Sequence, residues 1–294
     1  MKPATRPAAV LALSLIGISF AAPLVRLSEA HPLAIAAWRL GFSLLIVGGF
    51  LGASGGWRQW RALGARDFGA AAAAGVMLAL HFWSWNASLR YTTVAASVVL
   101  VNLQPAIVVA LSALLLREAP RAAQLAGVGL AMLGALVIAL PDLLGGAGGG
   151  SNPLLGDLLA VVGAVTAAGY YLVGRALRQK IDLWPYVALV YGACFVTLIA
   201  LAAAVGAPLA PQPPRELAIF AALALGPMML GHTGMNWALR YLSAYVVTLT
   251  TLGEPVGATL LAWLLPGIAE TPTLTTLLGG ALILGGVVIA ARRR

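Results

Sequence analysis

The sequence predicts an all-α membrane protein of about ten transmembrane helices, arranged as two inverted five-helix repeats. Three observations carry that prediction: too few charges for a water-facing surface, apolar runs of spanning length from end to end, and an internal repeat. Of the 294 residues, 61% are hydrophobic and 9% are charged, against about 25% charged in an ordinary soluble domain. A run of about 20 apolar residues crosses roughly 30 Å of hydrocarbon at 1.5 Å per residue.

Such runs place spans at 8–27, 33–52, 68–88, 94–116, 122–140, 154–175, 184–206, 216–238, 244–266 and 274–291. Turn-formers and charges separate them: Glu29-Ala30-His31-Pro32, Ser54-Gly55-Gly56-Trp57, Glu118-Ala119-Pro120, Gly206-Ala207-Pro208 and Glu270-Thr271-Pro272. The first run, preceded by Lys2 and Arg6, imitates a secretory leader. It is long enough to span and has an internal counterpart near Leu154 to Arg175, so it is read as a helix. The widest gap, residues 145–153, is glycine-rich and reads as a flexible external linker between the halves 1–144 and 154–294.

The halves repeat. Asn86-Ala87-Ser88-Leu89-Arg90-Tyr91 recurs as Asn236-Trp237-Ala238-Leu239-Arg240-Tyr241, and Gln104-Pro105 as Glu254-Pro255, at an offset of 150. The register then slips by two, so that Glu118 answers Glu270, Gly127 answers Gly279, and Gly134 answers Gly286. Of the 18 Lys and Arg residues, 14 fall on one side of the proposed spans, while Arg26, Arg90 and Arg215 fall on the other. Cations concentrate on the cytoplasmic side, which puts both termini there. An odd number of spans per repeat then makes the repeats inverted.

The net charge of +9 is spread in small groups between apolar runs, without the continuous basic stripe that nucleic acid requires. Lipid head groups are the expected partners of those cations. Cys194 is the single cysteine, which excludes an intrachain disulfide, and no metal or cofactor site is read from the sequence.

Several motifs resemble the EamA repeat of the drug/metabolite transporter superfamily. These are Asn102-Leu103-Gln104-Pro105, Leu115-Leu116-Arg117-Glu118 and Gly127 to Gly134, matched again at Gly253-Glu254-Pro255 and Gly279 to Gly286. Arg39 in the second span is similar to that pattern too. The resemblance implies a ten-helix exporter in the bacterial inner membrane that carries small metabolites by alternating access around a midplane cavity. Amino acids are the expected solutes, and a bacterial aromatic amino acid exporter is the nearest type.

Candidate binding residues follow from what a bilayer tolerates. Glu254 lies mid-span, where a carboxylate must protonate, pair or line a wet cavity, so it is expected to receive a substrate ammonium or a coupling proton. Pro255 is expected to bend the helix and free the Thr251 carbonyl. Gln104, beside Pro105, is its neutral counterpart, and Asn102 stands in the same motif. His81 and Trp85 share a face at four-residue spacing, extended by Ser88, as do His232 and Asn236. Arg39 attracts a carboxylate, pairs with another helix, or snorkels to the head groups. Gly48-x-x-x-Gly52 and Gly253-x-x-x-Gly257 offer close helix approach.

Two alternatives stand beside export of amino acids. One is a multidrug or cation exporter of the same superfamily. The other is an intramembrane serine hydrolase, suggested by the GxSG fragment Gly52-Ala53-Ser54-Gly55, although Ser54 falls at a span's exit.

Overall fold

The computed structural model describes residues 5–111, 121–144, 151–269 and 271–291. Several sequence expectations lie outside them: the elements at Arg117, Glu118 and Glu270, most of the glycine-rich linker, and the terminal cations Lys2 and Arg292 to Arg294. Among the described residues every regular element is helical. Helix α1 runs through Thr5–Ser19 and Ala21–Leu27, α2 is Pro32–Ser54, α3 is Ala65–Ser88, and α4 is Val94–Val101 plus Gln104–Leu111. Helix α5 is Ala122–Leu143, α6 Pro153–Leu177, α7 Leu183–Val205, α8 Pro214–Ala238, α9 Ala244–Leu264 and α10 Leu274–Ala291. Seven of these are long and apolar enough to cross a membrane, and shorter apolar stretches occupy α4, α5 and α10. The spans read from the sequence match these helices to within a few residues, apart from the end of the fourth at 116, which lies outside the described residues.

Local chemistry sets the ends. His31 caps α2 by accepting from Leu33 N (3.2 Å), with Pro32 as the first helical residue. Burial, and then the charge of Arg90, lowers the pKa of His31. The neutral imidazole that results is the form that can accept the capping bond. Gly55 and Gly206, at φ 61° and 67°, end α2 and α7 in the left-handed region.

Three helices are irregular. Helix α8 carries a π-helical stretch over Ala224–Thr233 with Pro227 inside it, a feature common at functional sites. Helices α4 and α9 were expected to bend at Pro105 and Pro255. Helix α4 is interrupted at Asn102-Leu103, whereas α9 stays continuous and tightens into a 3-10 turn, so that each proline falls in the first turn of a new α-helical segment, where it fits better than in a helix interior. Those segments start at Gln104 and Glu254, with the tight turn over Thr250–Gly253 in α9.

The packing is reciprocal. Helix α3 lies on α6 and α7, while its repeat mate α8 lies on α1 and α2. Helices α5 and α10, which are repeat mates of each other, run antiparallel. A Cβ added at Gly134 would stand 2.5 Å from Gly279 O and 2.9 Å from Ile283 N, and one at Gly286 would meet Gly127 O and stand 2.8 Å from Ala131 N. Gly134 answers Gly286, Gly127 answers Gly279 and Ala131 answers Ile283, so one contact is the other seen through a pseudo-two-fold. Self-complementary contacts of this kind define a two-fold interface, and antiparallel mates make the repeats inverted. Of the GxxxG pairs, Gly253 and Gly257 admit Leu15 and Ser19 of α1, whereas Gly48 and Gly52 meet nothing within 4 Å.

Candidate functional site

The irregular helices converge on one cavity at the centre of the bundle. Its walls come from α1 (Ile18, Ala21), α3 (His81, Trp85), α4 (Val101, Gln104), α6 (Tyr171), α8 (His232, Met235) and α9 (Thr251, Glu254). These are three pairs of repeat mates, so the pseudo-two-fold passes through the cavity. The free space is about 30 Å³, enough for two or three waters at ~10–15 Å³ each. A solute-sized molecule does not fit in this conformation.

Glu254 is the eleventh of the 21 residues of α9 and is 8% exposed. Its Oε2 accepts from Asn102 Nδ2 (3.3 Å), which also donates to Val98 O (2.8 Å). Gln104 Nε2 donates to Thr251 Oγ1 (3.1 Å), which in turn donates to Thr248 O (2.8 Å). The hydroxyl of Thr251, rather than its carbonyl, therefore serves the site. Both cross-links join α4 to α9 where the two helices are irregular.

Aromatic rings build the opposite wall. His81 Nδ1 donates to Gly163 O (2.9 Å), and its ring lies parallel to Trp85 at 6.3 Å. His232 stands edge-on to Phe82 at 5.2 Å and to His81 at 6.1 Å. Arg39, 1% exposed, lies over the Phe82 ring at 4.2 Å, and its Nε, Nη1 and Nη2 have no hydrogen-bond partner. Burying a guanidinium costs several kcal/mol, and a ring face offsets about 2 kcal/mol of that. Arg39 is thus held at a net cost in this state, and its burial shows that it does not snorkel.

Further polar atoms here lack partners: Trp85 Nε1, Asn102 Oδ1, Gln104 Oε1, His232 Nδ1 and Asn236 Oδ1. Native interiors leave few such atoms unsatisfied; Asn86 Oδ1, Thr92 Oγ1 and Tyr186 OH, outside the cavity lining, are unpaired as well.

Of the eight sequence-read residues, Glu254, Gln104, His81, Trp85 and His232 line the cavity, and Asn102 holds Glu254. Arg39 stands one ring away, behind Phe82. Asn236 is displaced: its Nδ2 donates to Tyr170 OH and, at 3.3 Å, to Tyr191 OH. The wider turn of the π stretch rotates His232 away from the face that a regular helix would give it with Asn236. Ser88 also departs from expectation, because its hydroxyl bonds Trp85 O (2.7 Å) and Ser97 Oγ (2.6 Å) and ties α3 to α4. The GxSG fragment is a helix end: exposed Ser54 donates to Leu51 O (3.2 Å) and accepts from Gly56 N (3.3 Å). Sequence reading missed Tyr171 and the network of Tyr170, Tyr191 and Thr233, in which Tyr191 OH and Thr233 Oγ1 lie 2.9 Å apart. Four tyrosines within the two neighbouring apolar spans 154–175 and 184–206 were the available signal, since a buried phenol seeks a partner.

Each end of the bundle is closed by matching bonds. At the Arg90 end, Arg26 donates to Leu89 O, and Arg90 to Ser28 O (3.1 Å) and Ala30 O (2.5 Å). Glu216 bridges the halves there, accepting from Ser28 Oγ and Glu29 N (3.2 Å) and pairing with Arg215 (3.1 Å). At the Arg240 end, Arg175 donates to Leu239 O (2.7 Å), Arg240 pairs with Asp182 (2.6 Å), and Asp67 bridges the halves to Lys180 (2.5 Å). Gln59 Nε2 also donates to Asp182 Oδ2 (2.7 Å), and Trp60 Nε1 to Pro185 O (3.1 Å). Leu89 and Leu239 are repeat mates, as are Arg90 and Arg240.

An inverted-repeat bundle with irregular helices around a midplane pocket is the architecture of a membrane transporter. The chain belongs to the EamA-like transporter family, which matches residues 7–140 and again 154–292. Residues 84–205 also match solute carrier family 35. An uncharacterized transporter of Archaeoglobus fulgidus is 28% identical over 215 residues, covering 69% of this chain and 70% of that one. A crystal structure of a protein with 21% identity shares the fold, at a TM-score of 0.75 over 98% of this chain and 96% of its own.

Proposed function

We propose that this transporter exports small polar metabolites, amino acids foremost, by alternating access around the cavity at Glu254. The carrying observation is a buried carboxylate at mid-span that lines a small, aromatic-walled cavity among unsatisfied polar atoms. A membrane interior does not keep such a group idle without cost. Glu254 receives a solute ammonium or a coupling proton, and Trp85, His81 and Tyr171 flank the solute's apolar body. The halves 1–144 and 154–294 rock about this site, joined by an external linker at 145–153. The Arg90 end faces outward and the Arg240 end inward, with both termini cytoplasmic in a bacterial inner membrane. The cation asymmetry supports that orientation.

Glu254→Gln keeps shape and removes the charge. Amino acid efflux from proteoliposomes should fall by roughly tenfold or more, since hydrogen bonds to charged groups contribute ~1.5–3 kcal/mol. Its response to an imposed pH gradient should flatten if Glu254 carries the proton. Wild-type efflux with a wild-type pH response would reduce Glu254 to a structural hydrogen bonder. A single carboxylate in an aromatic wall also suits an organic cation, so a cation exporter is the second reading.

A further inference from the structure

We propose that Arg39 is the anion-reading group of this transport site, so that the solute carries a carboxylate as well as a cationic end. The inference rests on transport at Glu254 and names the group that reads the solute's carboxylate, which separates amphoteric molecules such as amino acids from the organic cations of the second reading. Three features of the structure support it.

The guanidinium is buried about seven residues into α2, roughly 10 Å from the helix start at 1.5 Å per residue, and none of its nitrogens donates a hydrogen bond. A planar fork of five N–H groups matches a carboxylate in two-bond geometry, and no carboxylate among the described residues fills it. Glu254 is within electrostatic reach of Arg39 but makes no ion pair with it. A missing anionic partner in a buried site is what a bound solute would supply.

The unsatisfied atoms are also divided by chemistry. The amides that bond Glu254 and Thr251 leave free acceptors, Asn102 Oδ1 and Gln104 Oε1, while the Arg39 guanidinium offers only donors. One end therefore suits an ammonium and the other a carboxylate.

The route between them is short. Arg39 lies over one face of Phe82, and the same ring meets His232 of the cavity wall at 5.2 Å. Swinging a single ring aside opens the guanidinium to the cavity. With only about 30 Å³ free in the present state, some such movement must accompany solute entry.

The test uses proteoliposomes loaded with L-phenylalanine, phenethylamine or 3-phenylpropionate. These share an aromatic body and differ in which charged end they keep. Efflux is followed for wild type, Arg39→Met and Arg39→Lys, and thermal stabilisation of the detergent-purified protein by the same three compounds reports binding. Wild type should favour phenylalanine over phenethylamine by roughly tenfold or more, the discrimination given by a charge-assisted bond. Arg39→Met should lose phenylalanine efflux and leave phenethylamine unchanged, and Arg39→Lys should restore part of the preference. Equal handling of phenylalanine and phenethylamine by wild type overturns the Arg39 assignment and leaves transport at Glu254 standing. An equal loss of both in Arg39→Met overturns it too, since that is the mark of a purely structural role. Absence of efflux and of stabilisation with all three sinks both readings. If Arg39→Met does not fold, the wild-type preference and Arg39→Lys still decide.

Discussion

Glu216 and Asp67 occupy matching places at the starts of α8 and α3, and each bridges the two halves of the molecule. Their surroundings differ sharply. Glu216 is 4% exposed and holds buried Ser28, a backbone N–H and Arg215. Asp67 meets a largely exposed Lys180, and the neighbouring Arg240–Asp182 pair has side chains 40% and 59% exposed. Exposed ion pairs contribute little and are screened by salt, whereas a carboxylate bonded out of water is neither cheap to free nor easily screened. Related bonds thus close the Arg90 end firmly and the Arg240 end loosely. For an exporter that difference favours opening toward the side where solute is loaded.

The sharpest way to break this comparison is to ask which end faces the cytoplasm. With Cys194 replaced by Ala, single cysteines at exposed Ser151 and Ala62 should respond oppositely to an impermeant thiol reagent on intact cells. Ser151→Cys should label and Ala62→Cys should not, and the reverse pattern inverts the argument. Next in size is Glu216→Gln. It removes a charge that Ser28 and Arg215 rely on, at about 1–3 kcal/mol, and should raise labelling from outside of a cysteine placed at Ile18 in the cavity wall. Unchanged labelling would show that Glu216 does not hold that end shut. The smallest effect is expected from Asp67→Asn. It should change efflux at low salt by no more than a few-fold, with the difference vanishing as ionic strength rises. A large, salt-independent loss would mean the two ends are closed alike.

Much of this arrangement was legible in the residues. The spans are bounded by proline, glycine and charge, and the bilayer punishes any other reading of so apolar a chain. Glu254 and Gln104 stood out because a polar group at mid-span needs a reason. What the sequence concealed was helix phase. Nothing but Pro227 hinted that α8 carries a π stretch, so His232 and Asn236 were assigned one face and in fact serve different neighbours. Pro105 and Pro255 announced irregularity but not whether the helix would bend or restart, because that depends on which neighbours satisfy the freed backbone. Ser88 matched His81 and Trp85 in spacing, yet Ser97 on the next helix captured its hydroxyl. Tyr171 was passed over in the sequence, because only the fold brings its hydroxyl within 3.1 Å of Met235 Sδ on α8 and places it in the cavity wall.

The glycine contact between α5 and α10 has a consequence for biogenesis. Helix α5 enters the bilayer some 130 residues before α10, yet the surface that Gly127 and Gly134 present is completed only by Gly279 and Gly286 of that later helix. Until then lipid occupies that face, and this contact forms only when α10 arrives. The insertion machinery is therefore asked to tolerate an incomplete first half over that stretch of translation, and quality control has its natural checkpoint at the tenth helix.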